Sequence, residues 1–336
     1  MTAGRTVGVC VVVFALLAAG VAGTASAQSA PTPIDSCRTI ADDGEYVLTA
    51  DIANSSQSTC IQILSSDVTF DGGGHTIGGA NANDSVGVKV NNSLTSLSNV
   101  TVRNVSTTGW TTGVQYLDVA NGSIEDVTAN GNDRHGIRLR AANDARVENV
   151  TATDNGRWSL YTVGNTTVTG TGFATGSTDN ASFTASDVAL TGVGSPPGGL
   201  DNRSTVGQRL GAVATGDNSS LRLGIGYDEA NVTRANVTEN SLRMWRFEGN
   251  WSQPDGVNFV NIEQDRVVAE VENVDNASVL APVGDVQTPT PTPTPTATAT
   301  EAAANTTSSS NGPGFGIGLA LVAVLASAFV LLRRDQ

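Results

Sequence analysis

The chain has 336 residues and a formal net charge of -14, from 18 basic and 32 acidic side chains. No basic stripe is present to neutralise phosphates, which excludes nucleic acid as a partner. Lys89 is the only lysine, and the acidic composition, rich in Ala, Gly, Thr, Asp and Asn, is typical of a protein adapted to molar salt.

The first 27 residues have the layout of a secretory signal peptide. Arg5 opens a short basic region, residues 7–21 are apolar, and the small residues 25–27 offer a cleavage site. We therefore expect segment 1–27 to be removed and the rest of the chain to be secreted.

Two cysteines, Cys37 and Cys60, follow the predicted signal peptide. In a secreted protein an even pair of cysteines predicts a disulfide. A paired metal-ligand role is the alternative, with His75 as the nearest further ligand.

A glycine-rich coil follows at residues 68–77, and it contains the phrase Asp-Gly-Gly-Gly-His-Thr-Ile at 71–77. This phrase resembles the "DGxGHTI" coil of NosD-type right-handed β-helix proteins, and residues 44–48 resemble their opening strand. The resemblance covers residues 35–195 and implies a right-handed parallel β-helix there.

Residues 86–163 repeat, and the repeat independently favours a parallel β-helix. Similar segments begin at Gly87, Gly113, Gly136 and Ser159, which are spaced by 26, 23 and 23 residues. A period in the low twenties with alternating apolar residues predicts a stacked solenoid. The leucine pattern of a leucine-rich repeat is missing. We predict one inward ladder of stacked side chains, formed by Val88, Val114, Ile137 and Leu160. We also predict that the side-chain amides of Asn132 and Asn155 stack in the turn.

A second strand recurs between these segments, at residues 97–101, 124–128 and 147–151. Glu125 and Glu148 take equivalent outward positions in it, on neighbouring coils about 4.8 Å apart. A glycosidase needs two carboxylates about 5 to 9.5 Å apart, so these two are the candidate catalytic residues. The alternative is two solvated glutamates on an acidic surface.

The first strand of each repeat carries a candidate binding row on its outer face. Outward positions hold Lys89, Gln115, Arg138 and Tyr161, and two further side chains, His135 and Trp158, lie just before the repeated Gly or Ser. Stacked coils would align these donors and aromatic faces into a track for a sugar chain. The alternative is an ordinary polar outer face.

NosD relatives are associated with copper handling, which requires clustered His, Cys or Met ligands. Besides the cysteine pair, the secreted part offers only His75, His135 and Met244 as such donors. The sequence therefore predicts no metal and no cofactor.

Residues 203–283 are predicted to form a small β-sandwich. A Gly/Pro stretch at 194–199 ends the repeat, and strand-like segments then follow at sandwich-like spacing. The phrases "YDEANVT" and "LRMWRFEGNW" resemble the membrane-proximal modules of haloarchaeal surface proteins.

Residues 287–311 are rich in Thr, Pro and Ser and predict an extended stalk. Segment 312–336 combines an apolar run at 317–332 with Arg333 and Arg334, which fix its end on the cytoplasmic side. With its leading Pro313, Gly314 and Phe315, it resembles the PGF-CTERM sorting signal of haloarchaeal surface proteins. The resemblance implies an archaeosortase-type processing enzyme as partner and a lipid-anchored product. A permanent transmembrane anchor is the alternative.

Sixteen Asn-x-Ser/Thr sequons are present, and a secreted protein can carry glycans on such sites. The candidate glycosylation sites are Asn54, Asn83, Asn121, Asn165, Asn202, Asn231, Asn250 and Asn276.

The sequence thus predicts an all-β chain, in which a parallel β-helix and a β-sandwich are displayed at the cell surface by a stalk and a hydrophobic sorting helix. The favoured function is non-enzymatic binding of polysaccharide or another envelope component, such as an S-layer. A polysaccharide lyase or glycoside hydrolase is the alternative, and a NosD-like copper-related role is the third.

Overall fold

A computed structural model describes residues 30–195, 198–271, 274 and 277–288, and these residues belong to one compact unit. The predicted signal peptide, most of the stalk, the sorting tail with Pro313, Gly314, Phe315, Arg333 and Arg334, and the sequon at Asn276 lie outside the described residues. Within those residues, no helix is both long and apolar enough to cross a membrane.

The fold is all-β. The first eighteen strands, in chain order, are β1 (Thr32–Ile34), β2 (Arg38–Ile40), β3 (Gly44–Leu48), β4 (Ile52–Ser55), β5 (Thr59–Ile63), β6 (Val68–Asp71), β7 (Thr76–Gly79), β8 (Val86–Val90), β9 (Leu97–Ser98), β10 (Thr101–Arg103), β11 (Ser106–Thr108), β12 (Thr112–Ala120), β13 (Ser123–Glu125), β14 (Thr128–Ala129), β15 (His135–Asn143), β16 (Ala145–Glu148), β17 (Trp158–Val163) and β18 (Thr167–Thr175).

These strands wind into a parallel β-helix of about six turns. Each full coil contributes a strand to each of three sheets. Sheet A takes β1, β3, β6, β10, β13, β16 and β18, sheet B takes β2, β5, β8, β12, β15 and β17, and sheet C takes β4, β7, β11 and β14. All pairs among them are parallel, as the repeat predicts.

The interior of the coils contains the predicted ladder. Val114 pairs with Val88 on one side and with Ile137 on the other, and Ile137 pairs with Leu160. All four side chains are fully buried. Equivalent apolar side chains of successive coils therefore stack on one another, which confirms the register predicted from the spacing.

The alignment of the second strand is wrong in its first repeat. Ile124 and Val147 pair as expected, but their partner in the preceding coil is Val102, not Leu97. Leu97 belongs to β9, which pairs with the end of β12. Two similar phrases, at 99–101 and 104–106, follow each other here, and the second one holds the equivalent position.

The corners between sheets A and C explain the Asn and Asp residues of the repeat. Asn104, Asp126 and Asn149 all have φ of 51°, in the left-handed region that Asn and Asp tolerate better than most residues. The backbone N–H of each donates to a carbonyl of the next coil, at 2.9 to 3.0 Å. These polar residues therefore turn the chain and join the coils.

The predicted amide stack of Asn132 and Asn155 is confirmed. Asn132 Nδ2 donates to Asn155 Oδ1 at 3.0 Å, and Asn132 is 2% exposed. Near the other end of the coils, the sulfur atoms of Cys37 and Cys60 lie 2.01 Å apart, so the structure places the predicted disulfide partners side by side.

The remaining elements, in chain order, are β19 (Thr178–Ser186), β20 (Val188–Thr191), β21 (Arg203–Thr205), β22 (Leu210–Ala214), β23 (Ser220–Gly226), the helix α1 (Glu229–Ala235), a 3-10 turn (Glu239–Ser241), β24 (Arg243–Phe247), β25 (Trp251–Ser252), β26 (Asn258–Asn261), β27 (Arg266–Val271) and β28 (Ser278–Asp285). The helix was not predicted. Asp228 caps it by accepting a hydrogen bond from the Asn231 N–H.

Sheets A and B continue into the C-terminal part as antiparallel sheets. β18 pairs with β19 and β17 pairs with β20, both antiparallel. A two-residue turn, Gly176 and Ser177, reverses the chain at this point. Sheet A then adds β23, β27 and β26, whereas sheet B adds β22, β28, β24 and β25. Neither sheet breaks at the predicted division between residues 195 and 203, so the sandwich extends the β-helix core.

Candidate functional site

The predicted binding row lies on consecutive strands of sheet B. In register, Gln115 on β12 pairs with Lys89 on β8 and with Arg138 on β15, and Arg138 pairs with Tyr161 on β17. Gln115 is 5% exposed and the other three are half-buried. The parallel register thus brings four side chains from four coils together.

The two residues that precede the repeated Gly and Ser also pair, His135 with Trp158. His135 is buried and its ring stacks on Tyr161, with centroids 4.9 Å apart and planes 25° apart. Trp158 is half-buried, and the Arg157 guanidinium lies 5.9 Å from its ring centroid.

A cavity of about 330 Å³ opens on this face of sheet B. Of the six predicted binding residues, all except Trp158 line it, together with three further charged residues, Asp84, Arg134 and Arg157. We call this space the sheet B cavity.

The sequence analysis missed Arg134 and Arg157 as site residues, although a signal was present. They are 23 residues apart, which is the repeat period, and the Arg157 N–H donates to the Arg134 carbonyl at 2.9 Å. Both directly precede their strands, in a corner where the alternation of inward and outward residues does not apply.

The sheet B cavity is electropositive in an acidic protein. Lys89, Arg134, Arg138 and Arg157 line it, against the single carboxylate of Asp84. Within the part of the chain that the structure describes, none of these four cations forms an ion pair.

Burial lowers the pKa of the Arg138 guanidinium, and the neighbouring Arg140 lowers it further. Burial, followed by repulsion from Arg134, Arg138 and Arg157, lowers the pKa of His135 to about 4. His135 is therefore neutral at pH 7, and its Nδ1 atom is buried without a hydrogen-bond partner.

Acidification is expected to destabilise the chain through His135. Its pKa is about 4 in the folded protein, against an ordinary value of 6.5. Between these values the unfolded chain binds more protons, so the free energy of unfolding falls as the pH drops from 6.5 to 4. The full shift corresponds to about 3 kcal/mol, and water in the open cavity should reduce this to about 1–2 kcal/mol.

Urea unfolding at pH 7.5, 5.5 and 4.5 measures this effect, with a His135→Asn variant as the matched control. Other titrating groups contribute equally to both proteins, so the difference between them isolates His135. The variant should lose less stability on acidification than the wild type. Identical losses in the two proteins would contradict the assignment.

The two candidate catalytic glutamates lie on a different sheet. Glu125 on β13 pairs in register with Glu148 on β16, as predicted, but both belong to sheet A. Glu125 accepts a hydrogen bond from Ser123 Oγ, and Glu148 forms an ion pair with Arg146 at 3.2 Å. Neither residue lines the sheet B cavity.

The candidate metal donors are dispersed. His75 Nδ1 lies 3.1 Å from an oxygen of Asp51, whereas His135 lines the sheet B cavity. Across residues 30–195, 198–271, 274 and 277–288, no three His, Cys, Asp or Glu side chains are grouped closely enough to hold a metal ion.

The described glycosylation candidates fall into two groups. Six asparagines are exposed, namely Asn54, Asn83, Asn121, Asn165, Asn202 and Asn250. Asn231 is half-buried, and its side chain donates to Asp228 and accepts from Arg234.

Comparison with protein families gives one match. The family described as "Right handed beta helix region" matches residues 42–194, which include most coils of the β-helix and the first two antiparallel strands. Comparisons with curated proteins and with solved structures give no significant match.

Proposed function

We propose that this chain is a non-enzymatic binding protein whose β-helix holds a polysaccharide along the outer face of sheet B. The observation that carries the proposal is the convergence of Lys89, Gln115, Arg138 and Tyr161 at one cavity. Polar donors beside an aromatic ring suit a sugar chain, because the ring covers an apolar sugar face while donors bind its hydroxyls.

The stacking of the coils supports an extended ligand. Coils follow one another about 4.8 Å apart, so equivalent side chains repeat along the β-helix at a constant step. A polymer with repeating units can contact several coils in succession. A small metabolite would use only one or two of them.

A hydrolase is less well supported. The paired glutamates that such an enzyme requires are on sheet A, whereas the cavity and the aromatic residues are on sheet B. Glu148 is also engaged by Arg146. Copper handling has no clustered donor set to support it among the described residues.

Display at the cell surface is part of the same proposal. The predicted signal peptide, stalk and PGF-CTERM-like tail support secretion, processing by an archaeosortase-type enzyme and retention on the extracellular face of the membrane. Glycans on the exposed sequons would fit this location. A binding face carried on a stalk would reach polysaccharide or S-layer components of the envelope.

Affinity electrophoresis through gels that contain neutral or acidic polysaccharides tests the binding face. The full chain should be retarded by at least one polymer, and the triple variant Arg138→Ala, Trp158→Ala, Tyr161→Ala should lose the retardation, by about ten-fold or more in Kd. The matched control is Arg146→Ala, on sheet A of the same coil as Arg138. Equal retardation of the triple variant and the wild type would refute the proposed face.

A further inference from the structure

We propose that the sheet B cavity is an anion subsite, which takes a carboxylate or sulfate group of an acidic polysaccharide. This inference rests on the proposed function and narrows it to one ligand class. Three properties of the cavity support it: its unpaired cations, its buried unpaired polar atoms and its size.

The cations of the cavity differ from most of the other cations in the described residues. Of the eleven described arginines outside it, five pair with a carboxylate, namely Arg103, Arg146, Arg203, Arg222 and Arg246. Four more, Arg209, Arg234, Arg243 and Arg266, donate side-chain hydrogen bonds to carbonyl or amide oxygens. Carboxylates are abundant in this chain, with 32 acidic against 18 basic residues. Nevertheless, none of the four cavity cations forms an ion pair within the described residues. The positive charges of these four side chains are therefore available to bind an anionic ligand.

Two buried polar atoms of the cavity residues also lack partners. Arg138 Nε and His135 Nδ1 are buried and form no hydrogen bond in the described structure, and His135 as a whole is only 5% exposed. An unsatisfied buried polar atom costs about 1–3 kcal/mol, and more if it is charged. Both atoms have almost no accessible surface, so an oxyanion would accept from Arg138 Nε–H, or from His135 in the tautomer that carries a proton on Nδ1, once these side chains turn towards the cavity.

The chemistry of the cations favours a planar or tetrahedral oxyanion. Three of the four are arginines, whose guanidinium groups bind carboxylate and sulfate or phosphate oxygens in pairs. The volume of about 330 Å³ is at the small end of ligand pockets. It therefore suits a short charged segment of a polymer, whose neighbouring units would continue along sheet B beyond the cavity.

Titration calorimetry with the full chain tests the subsite, using polymers that differ only in charge. The pairs are dextran sulfate against dextran, and polygalacturonate against its methyl ester. We expect the charged member of at least one pair to bind about ten-fold more tightly or better, and this preference should weaken as salt is raised. Orthophosphate is titrated separately as a free anion.

Variants of the cavity charges then assign the preference to this site. Arg134→Gln combined with Arg157→Gln should weaken binding of the charged polymer about ten-fold, whereas Asp84→Asn should strengthen it. Arg134, Arg157 and Asp84 are exposed, so these changes should leave the circular dichroism spectrum and melting temperature unchanged. The control is Arg103→Gln combined with Arg146→Gln on sheet A, which should bind like the wild type.

These experiments distinguish failure of the anion subsite from failure of polysaccharide binding. The anion subsite would be overturned if charged and neutral polymers bound with equal affinity, and if the triple Ala variant reduced this affinity but Arg134→Gln with Arg157→Gln did not. That result would leave the proposal of polysaccharide binding intact. Orthophosphate binding as tight as the charged polymer would overturn the polysaccharide as source of the anion. No binding of any polymer would overturn both proposals.

Discussion

Replacing Trp110 with alanine is expected to lower the free energy of unfolding by about 3–5 kcal/mol, the range for removing a fully buried aromatic side chain. Trp110 is 0% exposed, and its Nε1–H donates to the Ile77 carbonyl of the preceding coil at 2.9 Å. The indole also fills space that two glycines leave open. A Cβ on Gly79 would lie 2.7 Å from Trp110 Cδ2, and one on Gly87 would lie 3.2 Å from Cδ1.

Urea unfolding at fixed salt measures the effect, and Trp110→Phe separates packing from hydrogen bonding. Phenylalanine retains most of the volume but leaves the Ile77 carbonyl without its donor, so its cost should be clearly smaller than that of alanine. Trp158→Ala, at a half-buried site, should cost least of the three. A loss below about 1 kcal/mol for Trp110→Ala would mean that the indole does not join these coils.

The second large effect is expected at Asn132, whose loss should cost about 2–3 kcal/mol. The side chain is 2% exposed and joins three coils. Its Oδ1 accepts from the Trp110 N–H at 3.2 Å, and its Nδ2 donates to Asn155 Oδ1 at 3.0 Å. Asn132→Ala therefore leaves the buried Trp110 N–H without its acceptor and removes one of the two hydrogen bonds that Asn155 Oδ1 accepts.

A neighbouring asparagine provides the matched control. Asn130 is half-buried and accepts one hydrogen bond, from the Thr153 N–H at 2.9 Å. Asn130→Ala should cost about 1 kcal/mol, the contribution of a single hydrogen bond. If both alanine variants lost the same stability by chemical denaturation, the amide stack would have no special role.

The repeat period made much of the fold predictable. Segments beginning at Gly87, Gly113, Gly136 and Ser159 set the pairing of sheet B to the residue, because a parallel β-helix aligns equivalent positions in successive coils. The same spacing predicted the amide stack of Asn132 with Asn155. Both features depend on periodicity, which a single sequence displays directly.

The errors arose where local pattern does not determine the pairing partner. The sequence repeat aligns Leu97 with Ile124, whereas Val102 holds that position in the structure, because the phrases at 99–101 and 104–106 look alike. The change to antiparallel pairing at β19 was also invisible, because alternation has the same period in parallel and antiparallel strands. Only the turn at Gly176 and Ser177 marks the reversal.

The candidate site was predictable in part. Four outward strand positions and His135 were identified from the repeat and do line the sheet B cavity. Arg134 and Arg157 were missed because they precede the strands, at a corner where burial cannot be read from alternation. The absence of partner carboxylates was likewise unpredictable, since ion pairs depend on side chains that are distant in sequence.

Hydrogen–deuterium exchange of the full chain, with and without saturating acidic polysaccharide, tests the central claim most directly. The account predicts slowed exchange in residues 134–140 and 157–161 on sheet B, with little change in β13 and β16 on sheet A, where Glu125 and Glu148 lie. Protection confined to β13 and β16, or elsewhere outside the sheet B cavity, would contradict it.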